Sequence, residues 1–187
     1  LGRLHLNDPC PIGDAPSPAR VILPIEPPPR LLAVTASGRI AQVRWEFAGQ
    51  QPGPVERFLT TGLDGDTIVS LLSLPSQNIE ALSLGLLSSD GRFKRLPLSE
   101  VVDLSGRATS VLKLKEGVEL NSAVICRDQG TLMLMSDIGR LLRLRVTEEA
   151  LPLMGRLAQG AMTMRLLPGE QIVGAICTEQ TPLMLFS

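Results

Sequence analysis

Apolar and polar positions along this chain fall into a unit that recurs. Leu86-Leu87-Ser88-Ser89-Asp90-Gly91-Arg92-Phe93-Lys94-Arg95-Leu96 is an apolar run, a Ser/Asp/Gly turn and a run mixing apolar and basic residues. This pattern predicts a β-hairpin with Gly91 supplying a positive φ in the turn. Leu31-Leu32-Ala33-Val34-Thr35-Ala36-Ser37-Gly38-Arg39-Ile40-Ala41-Gln42-Val43 is a second copy, and Leu132-Met133-Leu134-Met135-Ser136-Asp137-Ile138-Gly139-Arg140-Leu141-Leu142-Arg143-Leu144-Arg145 is another. At the two ends of the chain, Gly2-Arg3-Leu4-His5-Leu6 reads as the second half of such a hairpin and Pro182-Leu183-Met184-Leu185-Phe186-Ser187 as the first half. Further strand signals lie at residues 67–74, at Ala123-Val124-Ile125-Cys126, and over residues 110–117, where apolar and charged residues alternate with period two as in a half-buried strand. Residues 161–170 parallel that last segment, and short helices are expected at most over residues 98–103 and 147–154.

The turn glycines Gly2, Gly38, Gly91 and Gly139 stand 36, 53 and 48 residues apart, a propeller-like period with a shortened first unit. The predicted fold is all-β, a propeller-like array of about four blades. Residues 31–80, 81–129 and 130–181 each form a blade, and residues 1–30 join 182–187 as a blade split between the termini. The 15 prolines and 17 glycines favour many short strands over long helices. With aromatic residues at 3% and no Tyr, the core must be built from Leu, Val, Ile, Met and Ala. Pro27-Pro28-Pro29 reads as a stiff spacer between strands rather than a ligand for a proline-binding domain.

Several function classes drop out. No window approaches the roughly 18 consecutive apolar residues of a membrane helix, and no charged-then-apolar leader opens the chain, so a cytoplasmic protein is expected. The chain starts at Leu1 and is read as a fragment. Cys10, Cys126 and Cys177 lack zinc-site spacing. Cys126 and Cys177, 51 residues apart, read as equivalent strand positions carrying reduced thiols packed as small apolar groups. With one histidine, His5, no phosphate-binding loop and no metal-spaced cluster, neither a catalytic centre nor a cofactor or metal is expected. Asp64-Gly65-Asp66 lacks the later carboxylates of a calcium loop and reads as a turn.

Ser89-Asp90-Gly91-Arg92-Phe93-Lys94-Arg95-Leu96-Pro97-Leu98, then Gly106-Arg107, Val111-Leu112-Lys113-Leu114 and the turn Glu116-Gly117, resembles the repeat in the C-terminal domain of the DNA gyrase A subunit, shared with its topoisomerase IV relative. The copy at Gly139 matches too, adding Gly155-Arg156-Leu157-Ala158-Gln159-Gly160. The resemblance implies a β-pinwheel, a propeller-like ring of four-stranded blades with strands exchanged between neighbours, whose basic outer rim binds and bends duplex DNA. It also implies partners: duplex DNA, the remainder of a topoisomerase A subunit, plus its ATPase subunit, within an ATP-dependent DNA topoisomerase acting at the nucleoid. Without Tyr, the cleaving nucleophile of such an enzyme lies outside this chain, and the glycine- and arginine-rich box associated with full wrapping in gyrase has only a degenerate echo at Gly155 to Gly160.

The candidate DNA-binding residues follow from the repeats. Arg3, Arg39, Arg92 and Arg140 each follow a turn glycine, and a regular column of cations suits regularly spaced phosphates. Lys94 sits at the family's usual basic position, where the other copies have Leu142, Ala41 and His5. Arg95 aligns with Arg143, with Arg44 and Arg145 nearby, and Arg107 aligns with Arg156. The plainer reading is that these arginines solubilise exposed hairpins. Net charge is -1, but residues 91–145 hold 10 basic against 6 acidic side chains, +4, leaving 8 against 13, -5, elsewhere. Bending a few tens of base pairs costs on the order of 1–6 kcal/mol, so one weakly basic flank suits local binding or bending better than full wrapping. The alternative is a propeller-like protein-interaction scaffold with weakened DNA binding.

Overall fold

Each of the three inner hairpins folds about its turn glycine. The computed structural model describes residues 30–49, 53–63, 65–75, 77–102 and 107–178; the two halves of the expected split blade, Arg3 and the polyproline spacer lie outside them. β1 (Arg30–Thr35) and β2 (Arg39–Val43) form the first hairpin, and β3 (Ile68–Leu74) returns beside β1. β4 (Leu82–Ser88) and β5 (Arg92–Pro97) form the second, followed by α1 (Ser99–Val102), β6 (Thr109–Ser110) and β7 (Leu120–Arg127). β8 (Thr131–Ser136) and β9 (Leu141–Arg145) form the third, followed by β10 (Ala161–Met162) and β11 (Ile172–Thr178). The turns are alike: the N–H of Gly38, Gly91 and Gly139 donates to the carbonyl of Thr35, Ser88 and Ser136 at 2.9, 3.0 and 3.1 Å, with φ of 76°, 82° and 80°. The hydroxyl three residues before each glycine is buried in all three copies.

The described strands make three antiparallel sheets, ordered β3-β1-β2-β6, β10-β5-β4-β7 and β11-β8-β9. The first two are completed from the next unit along the chain. β6 follows β5 yet pairs with β2 (Arg39 opposite Ser110), and β10 follows β9 yet pairs with β5 (Ala161 opposite Phe93). Each full blade is therefore three local strands plus one borrowed from its neighbour. Among the described residues β9 has no strand on its outer side. The borrowed strands are shorter than the period-two pattern over residues 110–117 suggests. After Ser110 the chain leaves the ladder to lie between blades, with Val111 and Leu112 buried and the Lys113 N–H donating to Ala158 O at 3.4 Å. α1 falls within the expected residues 98–103. Residues 147–154 form a turn instead of a helix, with Pro152 unable to continue a helical ladder.

Alternation sends successive residues of a strand to opposite faces, so β1 serves two cores. Leu32 and Val34 pack with Ile40, Leu84, Leu86, Leu96 and the seated Val111 and Leu112 between the first two blades. Leu31 and Ala33 face the other way, where Leu59 and Leu63, with Trp45 and Phe58, cover the sheet from the loop after β2. A third cluster joins Leu87, Phe93, Leu132, Leu134, Val146 and Met164 between the second and third blades. Full burial of such side chains is worth about 1.5–3 kcal/mol each. Among the described residues no helix is long and apolar enough to cross a membrane.

Candidate nucleic-acid interface

The column of arginines after the turn glycines is built into the hairpins, and each described member meets a carboxylate. Arg39 Nε lies 3.3 Å from Asp66 Oδ2, and its Nη2 donates to Leu63 O at 2.5 Å. Arg140 Nη1 lies 2.6 Å from Glu170 Oε2 and also donates to Arg165 O at 3.2 Å. Asp66 and Glu170 occupy matching places, because Ala36 N bonds Thr67 O and Asp137 N bonds Gln171 O, one residue after each acid. In the middle copy the matching contact runs from Ser89 N to Glu119 O, which puts the apolar Val118 at the acid's position. There the turn supplies its own partner, with Arg92 Nε 3.2 Å from Asp90 Oδ2. The column thus ties each turn to nearby chain as well as presenting charge.

The two acids are held in the charged form. Burial works to raise Asp66, but bonds from the Ser37 and Thr35 hydroxyls, the Ser37 N–H and Arg39 outweigh it and lower its pKa. Glu170 is lowered first by the Leu167 N–H, which donates to Oε2 at 2.7 Å, then by the neighbouring Ser136 hydroxyl and by Arg140. A carboxyl lowered in the fold contributes stability that is present above its ordinary value of 4.5 and is lost as pH falls through its folded value. Glu170→Gln is therefore expected to lower the urea midpoint at pH 7, and the gap from the unsubstituted chain should narrow on acidification below pH 4.5. A gap that stays constant down to pH 3 would contradict this coupling.

Lys94 and Arg95 depart from the expected outward reach. They are 1% and 2% exposed, because β5 is an interior strand covered on both faces. Lys94 Nζ donates to Val111 O at 2.6 Å, Arg156 O at 2.7 Å and Ala158 O at 3.3 Å, gathering three carbonyls from two other segments. Burial pushes the Lys94 ammonium down to about 8, opposed by the Glu100 carboxylate on α1. Arg95 donates from Nε to Ser83 Oγ at 3.1 Å and from Nη1 to Leu151 O at 2.9 Å, while Nη2 lies 2.5 Å from Asp128 Oδ1. In this arrangement both cations hold chain segments together.

Arg44, Arg107, Arg143, Arg145 and Arg156 are exposed. Arg44 stacks 5.4 Å over the Phe47 ring, and Arg145 donates to Gln129 O at 2.8 Å. Arg143 and Arg145 share one face of β9, with Leu142 and Leu144 half-buried on the other. Six exposed cations among the described residues escaped the repeat alignment: Arg30, Arg57, Lys113, Lys115, Arg127 and Arg165. The two lysines were marked by their alternation with Leu112 and Leu114, and Lys113 joins the segment carrying Arg156 through its bond to Ala158.

Residues 86–127 and 130–179 match the family described as "DNA gyrase C-terminal domain, beta-propeller". The DNA gyrase A subunit of Granulibacter bethesdensis is 30% identical over 114 residues, 59% of this chain and 12% of that protein. The DNA gyrase A subunit of Mycolicibacterium smegmatis is 32% identical over 94 residues, 50% of this chain and 11% of that protein. In fold, the chain superposes on the C-terminal domain of DNA topoisomerase IV with a TM-score of 0.68 at 16% identity, covering 81% of this chain and 48% of that one. It superposes on a DNA gyrase A C-terminal domain with a TM-score of 0.66 at 17% identity, covering 82% and 49%. The chain thus spans about half of each of these solved domains and about an eighth of the longer gyrase proteins.

Proposed function

The chain belongs to the family of DNA gyrase C-terminal domains, and from that premise we propose that it is an accessory DNA-binding domain of a bacterial type IIA topoisomerase, holding and locally bending duplex DNA. Its partners in this reading are duplex DNA, the remainder of the A subunit, plus the ATPase subunit of an ATP-dependent gyrase or topoisomerase IV, in the cytoplasm at the nucleoid. The chemistry of strand cleavage lies elsewhere in that enzyme.

The observation that carries the reading is β9, where Arg143 and Arg145 stand exposed on one face. Residues two apart on a strand are spaced about 7 Å, two steps of a duplex that carries a phosphate on each strand about every 3.4 Å of axis. Arg140 precedes them, and Arg156 and Arg107 add exposed charge on the segments that meet at Lys94 and beside it. Arg44 belongs to the same set on the first blade. Arg39, Arg92 and Arg140 contribute only what their carboxylates leave. Lys94 and Arg95 contribute through the frame rather than by contact. Arg3, the fourth member of the column, lies outside the described residues.

The test is salt-titrated binding of short duplexes by the chain and by a variant with Arg143→Ala, Arg145→Ala and Arg156→Ala. Weaker binding is expected, with the slope of log affinity on log salt flatter by about 0.9 for each phosphate contact removed. Equal binding by both proteins, or none by either at low salt, would defeat the reading. A second reading, a protein-docking blade, is favoured by Ile138, Leu141 and Leu157, which are 57%, 49% and 76% exposed near those cations. Capture of a topoisomerase subunit without DNA binding would support it.

A further inference from the structure

Cys126 and Cys177 lie on the inner strands of two successive blades, and the pairing register shows that they are not equivalent. Leu87 pairs with Ser122 and Met135 with Gly174, each one residue before its turn, so Cys177 stands where the preceding blade has Ile125. A one-residue offset on a strand reverses the face. Ile125 packs into the core between the first and second blades, whereas Cys126 turns into the core between the second and third. Cys177, at the Ile125 position of the third blade, faces back into that same core. The offset makes the two side chains converge on one core where true equivalence would keep them apart, and β7 and β11, the strands that carry them, pack against each other.

The two sulfurs differ in access. Cys126 is fully buried, its Sγ 2.8 Å from where a Cβ on Gly85 would stand. Cys177 is half-buried and lines an open cleft of about 160 Å³ with Pro75, Leu82, Ile125, Arg127 and Thr178. The adjoining Cys177 thiol and burial push Cys126 up, with Asp128 adding to this and Arg95 opposing it. Cys177 is therefore the sulfur a solute meets first, and Cys126 the one held in reserve behind it.

We propose that Cys126 and Cys177 form a redox pair that closes into a disulfide across the second and third blades by exchange with a low-molecular-weight disulfide. The Cys177 thiolate attacks one sulfur of the small disulfide, forming a mixed disulfide and releasing one small thiolate. Cys126 then loses its proton and attacks the Cys177 sulfur, expelling the second small thiolate. The protein pair is oxidised by two electrons, the small disulfide is reduced to two thiols, and no other reactant is needed. The product links residues 126 and 177, fastening β7 to β11 where the native ladders leave them unpaired.

The test incubates the native chain, and a Cys10→Ser variant, with excess oxidised glutathione, then alkylates remaining thiols and maps tryptic peptides. Expected are residues 116–127 joined to 166–187, two hydrogens lighter than the separate peptides, with no glutathione retained on either. The oxidised protein should melt at higher temperature than the reduced one, and a reductant should reverse both changes. Cys126→Ser should stop at the mixed stage with one glutathione on Cys177. Cys177→Ser should leave Cys126 unmodified while the protein is folded, as checked by circular dichroism. Glutathione retained on Cys177 in the native chain would overturn the proposal, as would both thiols staying open to alkylation, or a link that forms only in urea.

Discussion

Gly91→Ala is expected to destabilise the domain by about 3 kcal/mol or more, whereas Gly139→Ala costs about 1 kcal/mol. Both glycines have a φ near +80°, so both substitutions meet the same backbone penalty. They differ in what lies above the turn. A Cβ on Gly91 would stand 1.9 Å from Met164 O, the backbone of the segment borrowed from the next unit, while a Cβ on Gly139 meets nothing within 4 Å. Gly91 O also accepts from Met164 N at 2.9 Å and Thr163 N at 3.1 Å, so relief of the clash must break the bonds that seat β10. Paired urea titrations give the two costs, and hydrogen exchange at Met164 should accelerate in the Gly91 variant alone. Equal costs for the two substitutions would mean that the turn, rather than the exchanged strand, sets the need for glycine.

That contrast shows which parts of the fold were legible in the chain. Turn chemistry and period-two alternation are local, so the three hairpins and the spacing of their glycines could be read directly. The partner of a borrowed strand depends on the neighbouring unit, and no periodicity within residues 110–117 announces that Val111 and Leu112 will wedge between blades. The same limit misled the reading of the cations. β5 and β9 both mix Leu with Arg, yet β5 is interior and buried on both faces while β9, among the described residues, is an edge strand with its arginines exposed. Flanking apolar residues Phe93 and Leu96, which break strict alternation around Lys94 and Arg95, are the one local sign that this stretch has no outer face.

The arginine column was legible as a column, but its acids were not. Asp66 and Glu170 lie 27 and 30 residues beyond their arginines, and the pattern is hidden further by the switch to Asp90 in the middle copy. Ion pairs near the surface individually add little to stability, because water screens them and ordering the side chains costs entropy. If the chain binds DNA as proposed, their effect there is larger, since a phosphate must compete with a carboxylate already in place. In the proposed DNA-binding reading, the positive charge left to meet phosphate is thereby shifted away from the turns and onto β9 and the segment of Arg156, where the exposed guanidinium groups stand.

Lys94→Met should destabilise the domain by about 3 kcal/mol at pH 7 while leaving the salt dependence of any DNA binding unchanged. Methionine approximates the length of the stem but supplies no donors, so the carbonyls of Val111, Arg156 and Ala158 lose their shared partner in a site that is 1% exposed. Each buried acceptor left unpaired costs about 1–3 kcal/mol before relaxation, and removal of one member of a buried charged network commonly costs about 3–5 kcal/mol. The pH dependence gives a second signature. Lys94 is lowered from 10.5 to about 8 in the fold, so between these values the unfolded chain binds more protons than the folded one. Stability conferred through this group therefore rises as pH climbs through that window. The gap between the native chain and Lys94→Met should widen from pH 8 to pH 10, measured by urea midpoints. A flatter salt slope for Lys94→Met, at a temperature where it remains folded, would instead restore the lysine to direct contact with phosphate.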